Sequence, residues 1–258
     1  MTTEILIAAE ILWNAEKYHT PCPPIREIIG GENQELAYQV QQINVRKKIE
    51  NGSRIVGKKI GLTSFAVQKQ LGVNQPDFGM LFHDTQIVNG VEVLMKDLMQ
   101  PKAEAEIAFV LKNDLTKDFT LENLIESIDY CCASIEIVGS RIENWNIKIT
   151  DTIADNASAS HFILGEKKLP LSEIDLVNCK MKLFKNGELA SEGNGKACMD
   201  NPLNAALWLA EVMAKNGTPL QKGEILLSGA LGPMVSFEKG DEILAEIDGF
   251  DAVSFRVK

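Results

Sequence analysis

The sequence has few of the residues that build disulfide frameworks or zinc sites. Its 258 residues include five cysteines, an odd number without any Cys-x-x-Cys spacing: Cys22, Cys131, Cys132, Cys179 and Cys198. We expect free thiols that pack as small core residues, and therefore a reducing, cytoplasmic location. The three histidines lie far apart and form neither an HxH nor an HExxH pattern, so the common histidine metal motifs are excluded.

Other motifs and surface types are also missing. The sequence contains no GxSxG elbow and no P-loop, which leaves serine hydrolases and nucleotide-dependent enzymes without support. Its 36 acidic residues outnumber 26 basic ones, and a net charge of −10 argues against binding to nucleic acid or to an anionic membrane. The apolar segment 1–13 is interrupted by Glu4 and Glu10, so we expect neither a signal peptide nor a membrane span.

The pattern of apolar residues divides the chain into two parts. Residues 1–53 are predicted to form an N-terminal helical region, because apolar residues recur at helical spacing from Ile5 to Trp13 and again between Glu32 and Glu50. After residue 54 strands dominate and few are separated by crossover helices. We therefore predict an α+β fold in which residues 54–258 form an antiparallel or mixed β-roll that carries the catalytic site.

Two local features of the second part are also predicted. A short helix is expected over residues 65–71, with Gly72 ending it. The segment 145–160 is rich in Asp, Asn, Ser and Thr and has little periodicity, which indicates a polar loop with a functional role. Asp77 is likewise placed in a loop, bounded by Pro76 and Gly79.

An acidic pair in an apolar strand is the most informative feature. In the strand predicted around residues 101–110, side chains alternate between faces, so Glu104 and Glu106 point to the same side, about 7 Å apart. Two like charges on a half-buried face are unfavourable unless a cation compensates them. Glu136, on a second predicted strand, adds a third carboxylate, and the three could hold Mg²⁺ or Mn²⁺ with positions left open for substrate. Solvated surface acids remain the alternative.

Further polar residues have both a chemical and an ordinary interpretation. Lys59 could carry a proton beside a cation, which would lower its pKa, or it could be a surface charge. Asp77 could take part in proton transfer or only stabilise a turn. Ser158 and Ser160 could contact substrate or hydrogen-bond within their loop. Arg141 could pair with an acid rather than with substrate.

Six segments occur in an order that is characteristic of one family. They are Lys59–Ser64, Gln75–Gly79, Pro101–Ala108, the stretch from Glu136 to Trp145, Asp151–Ser158 and Ser228–Met234. Together they resemble the hydratase/decarboxylase family of the fumarylacetoacetate hydrolase superfamily, over nearly the whole chain. The resemblance implies a mixed β-roll of the fumarylacetoacetate-hydrolase C-terminal-domain type, preceded by a helical region.

The resemblance also implies residue roles and an activity. Glu104, Glu106 and Glu136 match the family's Mg²⁺ or Mn²⁺ ligands, Lys59 and Asp77 its acid/base residues, and Ser158 a substrate contact, with Ser160 an equal match. The implied activity is a lyase of aromatic meta-cleavage catabolism. It would hydrate 2-hydroxypenta-2,4-dienoate (2-oxopent-4-enoate) to 4-hydroxy-2-oxopentanoate, with 4-oxalocrotonate decarboxylation as the alternative. Ring-shaped homo-oligomers, pentamers or decamers, are implied too, and a complex with another enzyme of the pathway is a further expectation.

Overall fold

The computed structural model describes residues 2–71 and 73–258, so Gly72, the predicted end of a helix, lies outside the described residues. The described residues form seven α-helices: α1 (Thr3–Tyr18), α2 (Arg26–Ile29), α3 (Gln34–Glu50), α4 (Phe65–Leu71), α5 (Leu121–Ser127), α6 (Ile149–Ala154) and α7 (Pro202–Lys215). The first three precede the first strand: α1 and α3 lie in the two segments predicted as helical, and the short α2 lies between them. Helix α4 has the predicted bounds.

The strands of the described residues form two sheets. The strands are β1 (Ile55–Gly61), β2 (Asp77–Phe82), β3 (Gln86–Ile87), β4 (Glu92–Val93), β5 (Lys102–Leu111), β6 (Ile128–Val138), β7 (Ala159–Leu164), β8 (Lys180–Lys185), β9 (Glu188–Asn194), β10 (Ile225–Ala230), β11 (Val235–Ser236), β12 (Glu242–Ile247) and β13 (Val253–Val257). The larger sheet has the order β2-β1-β10-β5-β6-β7-β3, with β11 also paired to β5. The smaller sheet has the order β4-β13-β12-β8-β9.

Strand directions are mixed, which confirms the predicted α+β fold with a mixed β-roll. Strand β1 is parallel to β10, β3 to β7 and β13 to β4, whereas the other pairs are antiparallel. One face of β5, which includes Ile107 and Phe109, packs in the main core with the smaller sheet and α7. The opposite face carries Glu104, Glu106 and Ala108, and Ala108 packs in a separate apolar cluster. The strand period of two therefore sends the acids away from the main core.

The N-terminal helices pack against the region around α6. Apolar side chains of α1 and α3 form one cluster with Ile149 and Ile153. The buried Gln41 of α3 donates from Nε2 to Phe78 O at 2.9 Å and to Ile153 O at 3.0 Å. One amide thus ties the helical region to both β2 and α6. Among the described residues, no helix combines the length and apolar character needed to cross a membrane.

Two local predictions were wrong. The polar segment 145–160 is not a loop throughout, because residues 149–154 form α6 and are buried. Asp77 does not lie in a loop but is the first residue of β2. In both cases the polar side chains can be buried because residues distant in the sequence form hydrogen bonds with them. The local sequence pattern does not identify such partners.

Candidate active site

Three carboxylates meet where β5 and β6 pair. Glu104 lies directly opposite Glu136 in the antiparallel register, and Glu106 is two residues further along the same face of β5. One carboxylate oxygen from each side chain lies within 4.8 Å of the other two. Glu106 and Glu136 are 0% and 1% exposed, and Glu104 is half-buried. The structure therefore brings together the three acids that the sequence singled out.

The hydrogen bonding of these acids fits a cation site. Glu106 Oε1 and both carboxylate oxygens of Glu136 are buried and have no hydrogen-bond partner among the described residues. Burial, with repulsion from Glu136 and Glu104, raises the pKa of Glu106 well above its ordinary value. Burial raises the pKa of Glu136 to about 7, although Lys59 acts in the opposite direction. Unpartnered carboxylate oxygens are the ligands that Mg²⁺ and Mn²⁺ take, so the donor set fits such an ion.

Lys59 projects from β1 into the acidic cluster. Its side chain is 3% exposed, and its Nζ lies 3.2 Å from Glu136 Oε1. The two groups form an ion pair, but the angles between them do not meet the geometry of a hydrogen bond. Nζ also donates to Ala157 O at 2.9 Å. Burial lowers the pKa of this amine, but nearby carboxylates, first Glu136 and then Asp77, outweigh burial and raise it. The lowered pKa that the sequence predicts for Lys59 applies when a cation is bound beside it, whereas the raised pKa described here reflects the neighbouring carboxylates.

Asp77 reaches the same cluster from β2, where it pairs with Gly61 of β1. A Cβ on Gly61 would lie 2.2 Å from Asp77 Oδ1 and 3.4 Å from Lys59 Nζ, so a glycine is required between the two groups. Asp77 Oδ2 accepts a hydrogen bond from Thr152 Oγ1 at 3.2 Å, while the buried Oδ1 has no partner among the described residues. Burial raises the pKa of this carboxyl, against the effect of Lys59.

The two candidate serines have different partners. Ser158 is buried, and its Oγ lies 3.3 Å from Thr152 Oγ1, which links it to Asp77. Ser160 Oγ instead lies 2.8 Å from His161 Nδ1. These contacts favour Ser158 over Ser160 as the member of the cluster. Arg141 forms a buried ion pair with Asp155, the alternative to a substrate contact that the sequence left open.

Two residues of the site were missed by sequence reasoning. Thr152 bridges Asp77 and Ser158, and it lay in the segment predicted as a loop. The backbone N–H of Gly229, at a bend in β10, donates to Glu106 Oε2 at 2.9 Å. A backbone donor is invisible to a search for reactive side chains, and the glycine-rich segment 228–234 was the only available signal.

A cavity of about 370 Å³ lies beside Glu104. It is lined by the end of β1 and the segment that follows it, and by residues that include Val67, Ala230, Pro233 and Met234. Among its lining residues in the described part of the chain, Glu104 is the one that carries a charge. The described lining of this cavity therefore suits an apolar group better than an anionic one.

Comparison with known proteins identifies the family. The sequence model of the Fumarylacetoacetate (FAA) hydrolase C-terminal family matches residues 49–258, so the chain belongs to this family. It is 51% identical over 248 residues to 2-keto-4-pentenoate hydratase 1 of Dechloromonas aromatica (strain RCB), covering 96% of this chain and 94% of the relative. It is 49% identical over 248 residues to the TodF product hydratase of Pseudomonas putida F1, covering 96% and 92%.

A solved structure has almost the same fold. The 4-oxalocrotonate decarboxylase from Pseudomonas putida G7, complexed with magnesium and adipate, superposes with a TM-score of 0.95 at 33% identity. The match covers 100% of this chain and 99% of that one. The resemblance to the hydratase/decarboxylase family that the six sequence segments indicated is thereby confirmed.

Proposed function

We propose that this chain is a metal-dependent hydro-lyase that adds water to 2-hydroxypenta-2,4-dienoate and yields 4-hydroxy-2-oxopentanoate. The observation that carries the proposal is the carboxylate triad, in which the buried Glu106 and Glu136 have oxygens without hydrogen bonds. The triad contacts a buried lysine through Glu136 and borders an apolar cavity through Glu104. The names of the relatives at about half identity agree with it. The substrate belongs to the meta-cleavage breakdown of aromatic compounds.

The three acids would hold the ion. Each of Glu104, Glu106 and Glu136 would offer the ion a carboxylate oxygen, and Glu104 also borders the cavity in which the substrate would lie. When bound, Mg²⁺ or Mn²⁺ supplies Lewis acidity that draws electron density toward the 2-oxygen. Gly229 holds Glu106 in place through its backbone N–H. A cation held by these acids would supply the local positive charge that lets an acidic protein bind an anionic substrate.

Proton transfer falls to the residues around Gly61. Lys59 Nζ and Asp77 Oδ1 both lie beside this glycine, so one group can give up a proton while the other accepts one. Protonation of the substrate at C5 with loss of the 2-hydroxyl proton converts the dienol to a 2-oxo-3-enoate. Water then adds at C4, and a proton is delivered to C3. We assign Ser158 the role of orienting this water, and its connection to Asp77 through Thr152 supports that assignment.

The cavity separates the two activities of the family. The C4–C5 end of the dienoate is uncharged and fits an apolar wall, whereas 4-oxalocrotonate carries a second carboxylate. A carboxylate in that cavity would be desolvated without a cationic partner among the lining residues described, which is costly. The structural match to a 4-oxalocrotonate decarboxylase keeps decarboxylation as the second candidate.

One assay tests both candidates. Purified protein, stripped of metal and reloaded with Mg²⁺ or Mn²⁺, is given the C5 dienol and, separately, the C6 diacid, while ultraviolet loss and CO₂ release are recorded together. We expect metal-dependent loss of the dienol without CO₂, and a kcat/KM for the diacid at least about a hundredfold lower, as expected when a pocket leaves a charge unpaired. Metal-dependent CO₂ release from the diacid at a comparable kcat/KM would instead establish the decarboxylase.

We also propose a cytoplasmic location and a homo-oligomeric state. Five free, buried cysteines support the location, because a reducing compartment keeps such thiols unpaired. Exposed apolar side chains such as Leu6, Ile7 and Val88 support contacts between copies of the chain. We propose pentamers or decamers, which light scattering would test. A complex with a second enzyme of the pathway would be tested by co-purification.

A further inference from the structure

The turn formed by residues 156–158 has a backbone conformation that L-amino acids rarely adopt. Asn156, Ala157 and Ser158 have φ angles of 54°, 51° and 57°, so three consecutive non-glycine residues are left-handed. Each is disfavoured because its Cβ crowds the neighbouring carbonyl oxygen. Such a turn persists only where surrounding contacts hold it.

The side chain of Asn156 binds the turn to the edge strand β2. Its Nδ2 donates to Met80 O at 2.9 Å, and its Oδ1 accepts from Met80 N at 2.8 Å. Strand β2 lies at the edge of the larger sheet, and the amide satisfies backbone groups that an edge strand leaves unpaired. A Cβ on Gly79 would lie 2.2 Å from Asn156 O, so only a glycine lets the strand approach this closely.

Arg141 holds the two ends of the same turn. Its Nη2 donates to Asp155 O at 2.6 Å, immediately before the turn. Its Nη1 donates to Ala159 O at 3.1 Å, immediately after it. One guanidinium thus holds the residues on both sides of the turn, and Asn156, the first residue of the turn, binds it to β2.

The turn contacts both groups to which proton transfer is assigned. Ala157 O accepts the hydrogen bond from Lys59 Nζ at 2.9 Å. Ser158 Oγ lies 3.3 Å from Thr152 Oγ1, whose hydroxyl donates to Asp77 Oδ2 at 3.2 Å. A shift of the turn away from β2 would therefore move two groups at once. These are the Ala157 carbonyl, which orients Lys59, and the Ser158 hydroxyl, which is linked to Asp77 through Thr152.

We propose that Asn156 is a positioning residue for the reaction: by pinning the left-handed turn to β2, its amide sets where Lys59 and Ser158 stand relative to Asp77. This inference rests on the proposed hydratase function. Asn156 contacts no member of the carboxylate triad among the hydrogen bonds described, so its effect is on turnover and not on the binding of the ion.

The experiment compares Asn156→Ala with a control that loses equivalent contacts elsewhere. Asn186, in the hairpin between β8 and β9, is also left-handed with a φ of 55°. Its Nδ2 donates to Asp241 Oδ1 at 2.7 Å, and its Oδ1 accepts from Glu242 N at 2.9 Å. Asn186→Ala therefore removes the same kind of amide bridge away from the site. Asn156→Gly adopts the left-handed conformation readily, so it isolates the lost hydrogen bonds and serves where Asn156→Ala does not fold.

Four quantities are measured for each protein: the Tm, Mn²⁺ affinity by calorimetry, kcat and KM on the C5 dienol, and amide exchange of the metal-free protein. Both Asn156 variants should lose about tenfold to a hundredfold in kcat, the scale of a misplaced reacting group, with KM and Mn²⁺ affinity nearly unchanged. Exchange at the Ser158 N–H should accelerate in them. Asn186→Ala should lower the Tm comparably and keep the wild-type kcat.

The outcomes that overturn the inference are distinct from a failure of the proposed function. Wild-type turnover in the Asn156 variants, an equal loss in Asn186→Ala, or a loss that follows weakened Mn²⁺ binding would each overturn it while the wild-type protein stays active. A metal-loaded wild-type protein that leaves the dienol unchanged would refute the proposed function itself, and this inference with it.

Discussion

Gly229 donates its backbone N–H to Glu106 Oε2 at 2.9 Å, and it does so with a φ of +111° that side-chain-bearing residues rarely adopt. A Cβ there would also lie 2.3 Å from Thr63 Oγ1. The carboxylate is therefore oriented by a backbone position that is restricted to glycine. Groups that orient metal ligands in this way are typically worth about 10-fold to 100-fold in metal affinity.

The first prediction tests this relationship with Gly229→Ala. Because β10 or Thr63 must shift to admit the methyl group, we expect Mn²⁺ affinity to fall about 10-fold to 100-fold, measured by calorimetry. Gly240→Ala is the matched control, since Gly240 has a φ of +95° but nothing within 4 Å of an added Cβ. Both variants should lose stability from the backbone strain. Equal Mn²⁺ affinity in the two variants would contradict the role of the Gly229 N–H.

The second prediction concerns the acids themselves. Glu106→Gln replaces a carboxylate ligand by a neutral amide, so Mn²⁺ binding and dienol hydration should both be lost. The fold should remain, because the substitution removes a buried charge that Glu104 and Glu136 repel. Glu246→Gln, an exposed strand residue on β12, should behave as wild type. Calorimetry with circular dichroism checks this, and a Glu106→Gln protein that binds Mn²⁺ normally would remove Glu106 from the site.

The third prediction separates two neighbouring buried lysines. Lys59→Met should keep Mn²⁺ affinity and lose about a hundredfold or more in kcat, the usual contribution of a general acid or base. Lys58 points to the other side of β1 and pairs with Glu224, so Lys58→Met should lower the Tm while preserving kcat. Steady-state kinetics on the dienol makes the comparison. Undiminished kcat in Lys59→Met would exclude Lys59 from proton transfer.

The fourth prediction is a pH dependence of stability. Burial, with repulsion from Lys48 and Arg141, lowers the pKa of His161, although Asp97 and Glu16 oppose this. The unfolded chain then binds a proton more readily than the folded one, so His161 costs stability as the pH falls through about 6.5. His161→Gln should lose less free energy of unfolding than wild type between about pH 7.5 and about pH 5.5. The free energy of unfolding is measured by urea denaturation across this pH range, and the same pH dependence in the two proteins would refute the prediction.

Much of the carboxylate cluster follows from local pattern. Alternation along β5 is enough to put Glu104 and Glu106 on one side of a strand. The apolar residues on the other side then decide that the acids face away from the main core. The register that sets Glu136 opposite Glu104 is not local, but a second buried strand with a lone acid was visible.

The remainder depended on partners far away in the chain. Asp151 accepts hydrogen bonds from Arg26, 125 residues away, and Thr152 donates to Asp77, 75 residues away. Polar residues with such partners can be buried in a helix, whereas by composition alone they resemble a loop. The left-handed turn at Asn156 and the backbone donor at Gly229 are likewise produced by tertiary contacts.

The bridge made by Gln41 has a consequence for protein engineering. Its single amide fixes the carbonyl of Phe78, next to Asp77, and that of Ile153, three residues before Asn156. In a chimera that takes residues 1–53 from one homologue and the rest from another, a side chain from a different protein would bridge the two segments that carry the proposed catalytic residues Asp77 and Ser158. Recombination should exchange α3, β2 and α6 as one block, even though the match to the family's sequence model begins only at residue 49.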